Sequence, residues 1–129
     1  MTFTVRNPAD GKIYPATDDY VHAMEVANPS RFLFVSGTMG LDAEGRAPEG
    51  LEAQLELVWS NIRRILAEAG MTTDNIVRLT SYLRDPAFAQ ANQDARIAAL
   101  GERRVPTTAI VVQTLSPEWL VEIEVIAAA

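Results

Sequence analysis

From residue 51 the apolar positions recur at helical spacing, as Leu51, Leu55, Val58, Ile62, Ile65 and Ala69, with Glu52, Glu56, Arg63 and Arg64 opposite. Residues three and four apart share one helix face, so the spacing predicts an amphipathic helix of about five turns ended by Gly70. On either side the period falls to two. In "YVHAMEV" the residues Tyr20, His22, Met24 and Val26 share a face, "NPS" at 28–30 forms a turn, and "RFLFVSG" reads as a mostly apolar strand stopping at Gly37. Strands joined this tightly are expected to pair as a hairpin. The four glycines and one proline of "GTMGLDAEGRAPEG", residues 37–50, mark a long loop.

"NIVRLTSYLRD" is a further strand, with Val77, Leu79, Ser81 and Leu83 inward and Arg78, Thr80, Tyr82 and Arg84 outward, or the reverse where both faces are covered. Asp85 followed by Pro86 opens a second helix, since the Asp side chain accepts from first-turn amides and Pro suits the first helical position. Its apolar face is Phe88, Asn92, Ala95 and Ala99. "VPTTAIVVQTL" and "LVEIEVIAAA", separated by "SPEW", read as two closing strands. In the last, Val121, Ile123 and Val125 alternate with Glu122, Glu124 and Ile126.

Strand, strand, helix, strand, helix, strand, strand is the order of an α+β domain, a mixed sheet with two helices on one face. Residues 1–17 add a short strand and an irregular segment containing "NPADG" and Pro15. The uncovered face would carry Ile110, Val112 and Ile123 or their neighbours, and an apolar surface of that extent marks an interface. A homo-oligomer is therefore expected.

At 129 residues the chain suits a single domain, 1–129. Its 11 basic and 17 acidic residues give a net charge of −6, without the basic footprint of a nucleic-acid binder, so no nucleic acid is expected. There is no Cys and one His, which leaves no pattern of metal ligands. No signal peptide, transit peptide or membrane-length apolar run appears, so a cytoplasmic protein without a membrane partner is expected. His22 reads either as a packed residue with one hydrogen bond or as an acid/base. Glu122 and Glu124 read either as solvated carboxylates or as functional ones. Arg103 and Arg104 are expected to complement the end of the second helix and meet water.

Four stretches together carry a resemblance: "FLFVSGTMGLDAEG", "QLELVWSNIRRILAEAGMTTDNIVRLTSYLRD", "FAQANQDARIAAL" and "VPTTAIVVQTLSPEWLVEIEVIAAA". From about Tyr20 to the C-terminus the chain resembles the RidA (YjgF) family of reactive-intermediate deaminases. The resemblance implies a chorismate-mutase-like fold and a homotrimer with a barrel-like interior and ligand clefts at the subunit interfaces. It also implies hydrolysis of small imines or enamines, such as 2-aminoacrylate, to a ketoacid and ammonia, with no cofactor. Some members have been described as ribonucleases.

Residue by residue, the resemblance places Tyr20, Ser36, Gly37, Asn92 and Glu122 around the cleft. Glu122 would position or activate water, Gly37 would bring backbone close to the ligand, and Asn92 would hold the surrounding loop. Glu124 reads as structural. One departure stands out: Thr108 occupies the place where the family's deaminating members carry an arginine that grips the substrate carboxylate. Losing such a charged hydrogen bond costs about 1.5–3 kcal/mol, so ordinary 2-imino acid deaminase activity is in doubt. Arg103 and Arg104 lie too early to replace it. His22 offers an acid/base if it faces the cleft. The alternatives are a non-catalytic trimeric small-molecule binding protein, or a pathway-specific member acting on a larger or cyclic substrate.

Overall fold

The computed structural model describes residues 1–129. In chain order the elements are β1 (Thr2–Val5), β2 (Met24–Ala27), β3 (Phe32–Met39), α1 (Leu51–Glu68), β4 (Ile76–Leu83), α2 (Ala89–Leu100), β5 (Thr107–Val111) and β6 (Val121–Ala128). Short 3₁₀ turns at Thr73–Asn75 and Pro86–Phe88 precede β4 and α2. The second starts as its sequence predicts, with the Asp85 carboxylate accepting from the Ala87 N–H at 2.8 Å and Pro86 in the first turn.

The main sheet has the order β3-β6-β4-β5, with β6 antiparallel to both neighbours and β4 parallel to β5. A parallel pair needs a crossover, and α2 supplies it. Both helices cover one face, giving the α+β architecture and the mixed sheet expected for the fold. The hairpin expectation fails: β2 pairs with β1 in a separate two-stranded sheet, and β3 pairs with β6. The turn itself explains this. Asn28 adopts φ 55°, and the N–H groups of Ser30 and Arg31 donate to the Ala129 carbonyl at 2.8 and 3.1 Å, which sends the chain onto the C-terminal strand. The strand expected from Tyr20 is also shorter, since Val21 makes only a single parallel bridge to Pro106.

α1 buries Gln54, Leu55, Val58, Trp59, Ile62 and Leu66 against the sheet. Ile65, expected in that stripe, is 38% exposed, because the line through Val58 and Ile62 continues at Leu66 and leaves residue 65 on the rim. On β6, Val121, Ile123, Val125 and Ala127 point into the core with Leu79, Leu83 and the α1 stripe. Ile123 is thus a core residue and not part of the bare face. Its parity opposes that of Glu122, Glu124 and Ile126, which face away from the helices. Phe32, Phe34 and Ile110 make up the exposed apolar part of that face, Phe34 being 73% exposed.

The second helix departs from its expected stripe. Phe88, Ala95 and Ala99 lie half-buried on the core, but the buried line is Asn92, Arg96 and Leu100. Arg104 reaches the Gly101 carbonyl at the end of α2 at 2.9 Å, whereas Arg103 turns to the carbonyls of Thr73 and Ile76, both at 3.0 Å. No helix is long and apolar enough to cross a membrane.

Candidate functional site

Glu122 and Glu124 project from β6 onto the open face of the sheet. Their neighbours in register are Met39 and Tyr82 for Glu122 and Thr80 for Glu124. Between Val35 and Thr38 the register of β3 slips by one residue against β6, a bulge that holds Ser36 and Gly37 out of the ladder. The Thr38 hydroxyl closes it on the Ser36 carbonyl at 3.0 Å. The bulge brings Gly37 against Glu122: a Cβ at residue 37 would lie 2.1 Å from Glu122 Oε2. Only glycine lets the carboxylate rest on the backbone there.

The two carboxylates differ in partners. Tyr82 Oη donates to Glu124 Oε1 at 2.6 Å, which ties Glu124 down. That hydrogen bond, then burial, then the charges of Glu124 and Glu122, push the Tyr82 phenol above its ordinary value, against a small opposing pull from Arg78. Glu122 and Glu124 open into a niche of about 320 Å³ with Tyr82, Gln113 and Thr114 in its walls. Next to it on the same face is a smaller niche of about 210 Å³, between Phe34, Arg78, Thr80 and Glu124.

Thr108 stands opposite Thr80 in the parallel β4–β5 register, and its hydroxyl accepts from Arg78 Nη2 at 3.3 Å. A guanidinium from the neighbouring strand therefore lies over the threonine. Arg78 and Tyr82 were legible only as outward-facing strand residues, and nothing local indicated what they would meet.

Tyr20 and His22 lie apart from the Glu122 niche within one chain. Their rings meet edge to face at 5.7 Å, and Tyr14 meets His22 the same way at 5.1 Å. His22 Nε2 donates to the Tyr14 carbonyl at 2.9 Å, and its backbone N–H donates to Asn7 Oδ1 at 2.8 Å. The segment 7–16, including Tyr14, and His22 line a niche of about 430 Å³. Asn92 is buried on the inner side of α2 with its Oδ1 unpartnered. No group of three or more His, Asp or Glu side chains is placed to hold a metal ion.

The chain thus joins Glu122, Gly37 and Ser36 at the bulge, sets Thr108 with Arg78 toward the opposite edge of the same sheet face, and holds Tyr20 and His22 together elsewhere. The family model described as Endoribonuclease L-PSP matches residues 12–129. The chain belongs to this family, known as RidA or YjgF. It is 35% identical over 111 residues to a RutC family protein of Pyrococcus abyssi, 84% of each chain. A RutC family protein of Aquifex aeolicus is 40% identical over 76 residues, spanning 57% of this chain and 58% of that one. Among solved structures, a conserved Rid family protein of unknown function from Yersinia pestis superposes with TM-score 0.85 at 31% identity over 100% of both chains. RidA from an Antarctic Psychrobacter gives TM-score 0.72 at 29% identity, covering 95% of this chain and 93% of that one. The RidA fold accounts for the open sheet face that carries the two glutamates.

Proposed function

We propose that this RidA-family protein is a cofactor-independent cytoplasmic hydrolase of a small reactive imine or enamine, working as a homotrimer with its ligand bound between subunits. The seating of the Glu122 carboxylate on Gly37 supports this reading most directly. A carboxylate fixed against backbone, with the nearby phenol committed to Glu124, keeps its lone pairs for water. Glu122 takes a proton from water as its oxygen adds to the carbon of the protonated imine, C=NH2+, giving a neutral amino alcohol. The carboxyl returns that proton to the nitrogen, the C–N bond breaks as ammonia leaves, and the hydroxyl proton passes from the new carbonyl to the departing ammonia. Net, protonated imine plus water gives carbonyl plus ammonium.

Thr108 argues against an ordinary 2-imino acid as the best substrate, because a hydroxyl already engaged by Arg78 makes a poor carboxylate grip. The acidic balance of the chain speaks against the ribonuclease activity in the family's printed description. The exposed Phe32, Phe34 and Ile110 supply the apolar surface a trimer would bury.

The test is ammonia release from 2-iminopropionate and from uncharged imines generated in solution. Wild type is expected to turn over the uncharged imines more readily, and Glu122→Gln to abolish turnover while retaining the wild-type oligomer. Unchanged turnover in Glu122→Gln removes Glu122 from the mechanism. Inactivity on all of them, with a small molecule co-purifying, would favour a binding protein instead.

A further inference from the structure

Apart from the Arg6–Glu25 pair, whose side chains are 63% and 48% exposed, the chain holds one other salt bridge. It joins Arg96 Nη2 on α2 to Asp19 Oδ2 at 2.5 Å, and the two side chains are only 3% and 16% exposed. Burying such a pair is a poor way to gain stability, since desolvating both charges offsets most of their attraction and an apolar pair would serve as well. This one is also incompletely satisfied, because Arg96 Nε has no partner. What a buried ion pair does supply is direction: it holds two chain segments in one register.

The segment it holds leads into Tyr20. Asp19 precedes it, and the Thr17 hydroxyl also donates to the Asp19 carboxylate. One residue earlier, Arg104 Nε donates to the Asp18 carbonyl at 2.7 Å. One residue later, the Val21 N–H donates to the Val105 carbonyl at 3.4 Å, beside the bridge to Pro106. Tyr20 is thus tethered before and after, on one side to α2 and on the other to the segment that runs into Thr107 and Thr108. Its own ring meets His22 edge to face.

We propose that the Asp19–Arg96 pair is a positioning device, with α2 clamping the 17–22 strap so that Tyr20 is held for ligand. Arg96 and Asp19 are positioning residues and touch no substrate. The clamp's link to binding rests on the reading above that Tyr20 lines the ligand site. The strap itself does not, and the test separates the two.

Amide hydrogen exchange and imine hydrolysis would be measured on wild type, Arg96→Met, Arg96→Lys, Asp19→Asn and Tyr20→Phe. In Arg96→Met the Val21 and His22 amides are expected to exchange about tenfold faster while β6 core amides keep their protection. The KM should rise about tenfold with kcat within about twofold, and Arg96→Lys should recover part of both. Asp19→Asn covers the case in which Arg96→Met does not fold, with the same expected pattern. Unchanged Val21 exchange, or uniform loosening that reaches β6, overturns the clamp. Faster Val21 exchange with unchanged KM, in a protein where Tyr20→Phe does raise KM, overturns the link between clamp and binding. If Tyr20→Phe leaves KM unchanged as well, the placing of Tyr20 at the site is what fails, and the proposal falls with it.

Discussion

At the scale of single residues, the contact between Gly37 and Glu122 is the most demanding. A methyl at residue 37 must displace the Glu122 carboxylate, because the clash is with the end of a flexible side chain. Gly37→Ala is therefore expected to cost about 1 kcal/mol or less in stability, yet to lower turnover on the order of a hundredfold by misplacing the base. Denaturant unfolding and steady-state kinetics on the same preparation check this, and full activity would show that the contact is incidental. Tyr82→Phe removes the hydrogen bond to a half-buried Glu124 and is expected to cost about 0.5–1.5 kcal/mol. The sign with pH follows from the raised phenol. Its contribution is complete below the unfolded value near 10.0 and is lost as pH rises through the higher folded value. The stability difference between wild type and Tyr82→Phe should therefore shrink only at strongly alkaline pH.

Elements respond to the Asp19–Arg96 pair. Partial burial pushes the Asp19 carboxyl up, but the Thr17 hydroxyl, its own backbone N–H and the Arg96 charge and hydrogen bond outweigh that and hold it below 3.8. A lowered carboxyl contributes stability above its unfolded value, and that contribution disappears as pH falls through the folded one. In Asp19→Ala the guanidinium loses its counter-charge but the freed strap opens to water, so the loss of global stability is held to about 1 kcal/mol at neutral pH, below the ~3–5 kcal/mol of a fully buried pair, and narrows below pH 3.8. Urea unfolding at a series of pH values measures it, and a pH-independent difference would refute the linkage. Among the elements, α1 was legible because a periodic stripe reports a buried face directly. α2 was legible as a helix but not in its buried line, since Arg96 offered no reason to be inside until Asp19 was beside it.

For the whole molecule, the proposed trimer would close over the open sheet face. Phe34 is 73% exposed in one chain, in register with Ile126 beside the smaller niche. Phe34→Asp is expected to shift the species seen by sedimentation from three times the 14.1 kDa chain mass to one, with the circular dichroism of the fold retained. An unchanged mass would place the subunit interface elsewhere.

The sequence alone determined what depends on neighbours close along the chain. The α1 stripe, the Asp85–Pro86 helix start and the alternation that sends Glu122 away from the core all follow from periods of 3.6 and 2. The resemblance carried by "VEIE" and the glycine after "FLFVS" added the family. Tertiary structure alone decided which strand each strand would meet: β2 beside β1, and β3 on β6. It also set the bulge that lays Gly37 on Glu122, the reach of Arg78 to Thr108, and the burial of Arg96 on an aspartate 77 residues away. Periodicity tells a side chain which face it occupies. Which partner waits on that face is fixed only when distant segments close on one another, and no local pattern encodes that choice.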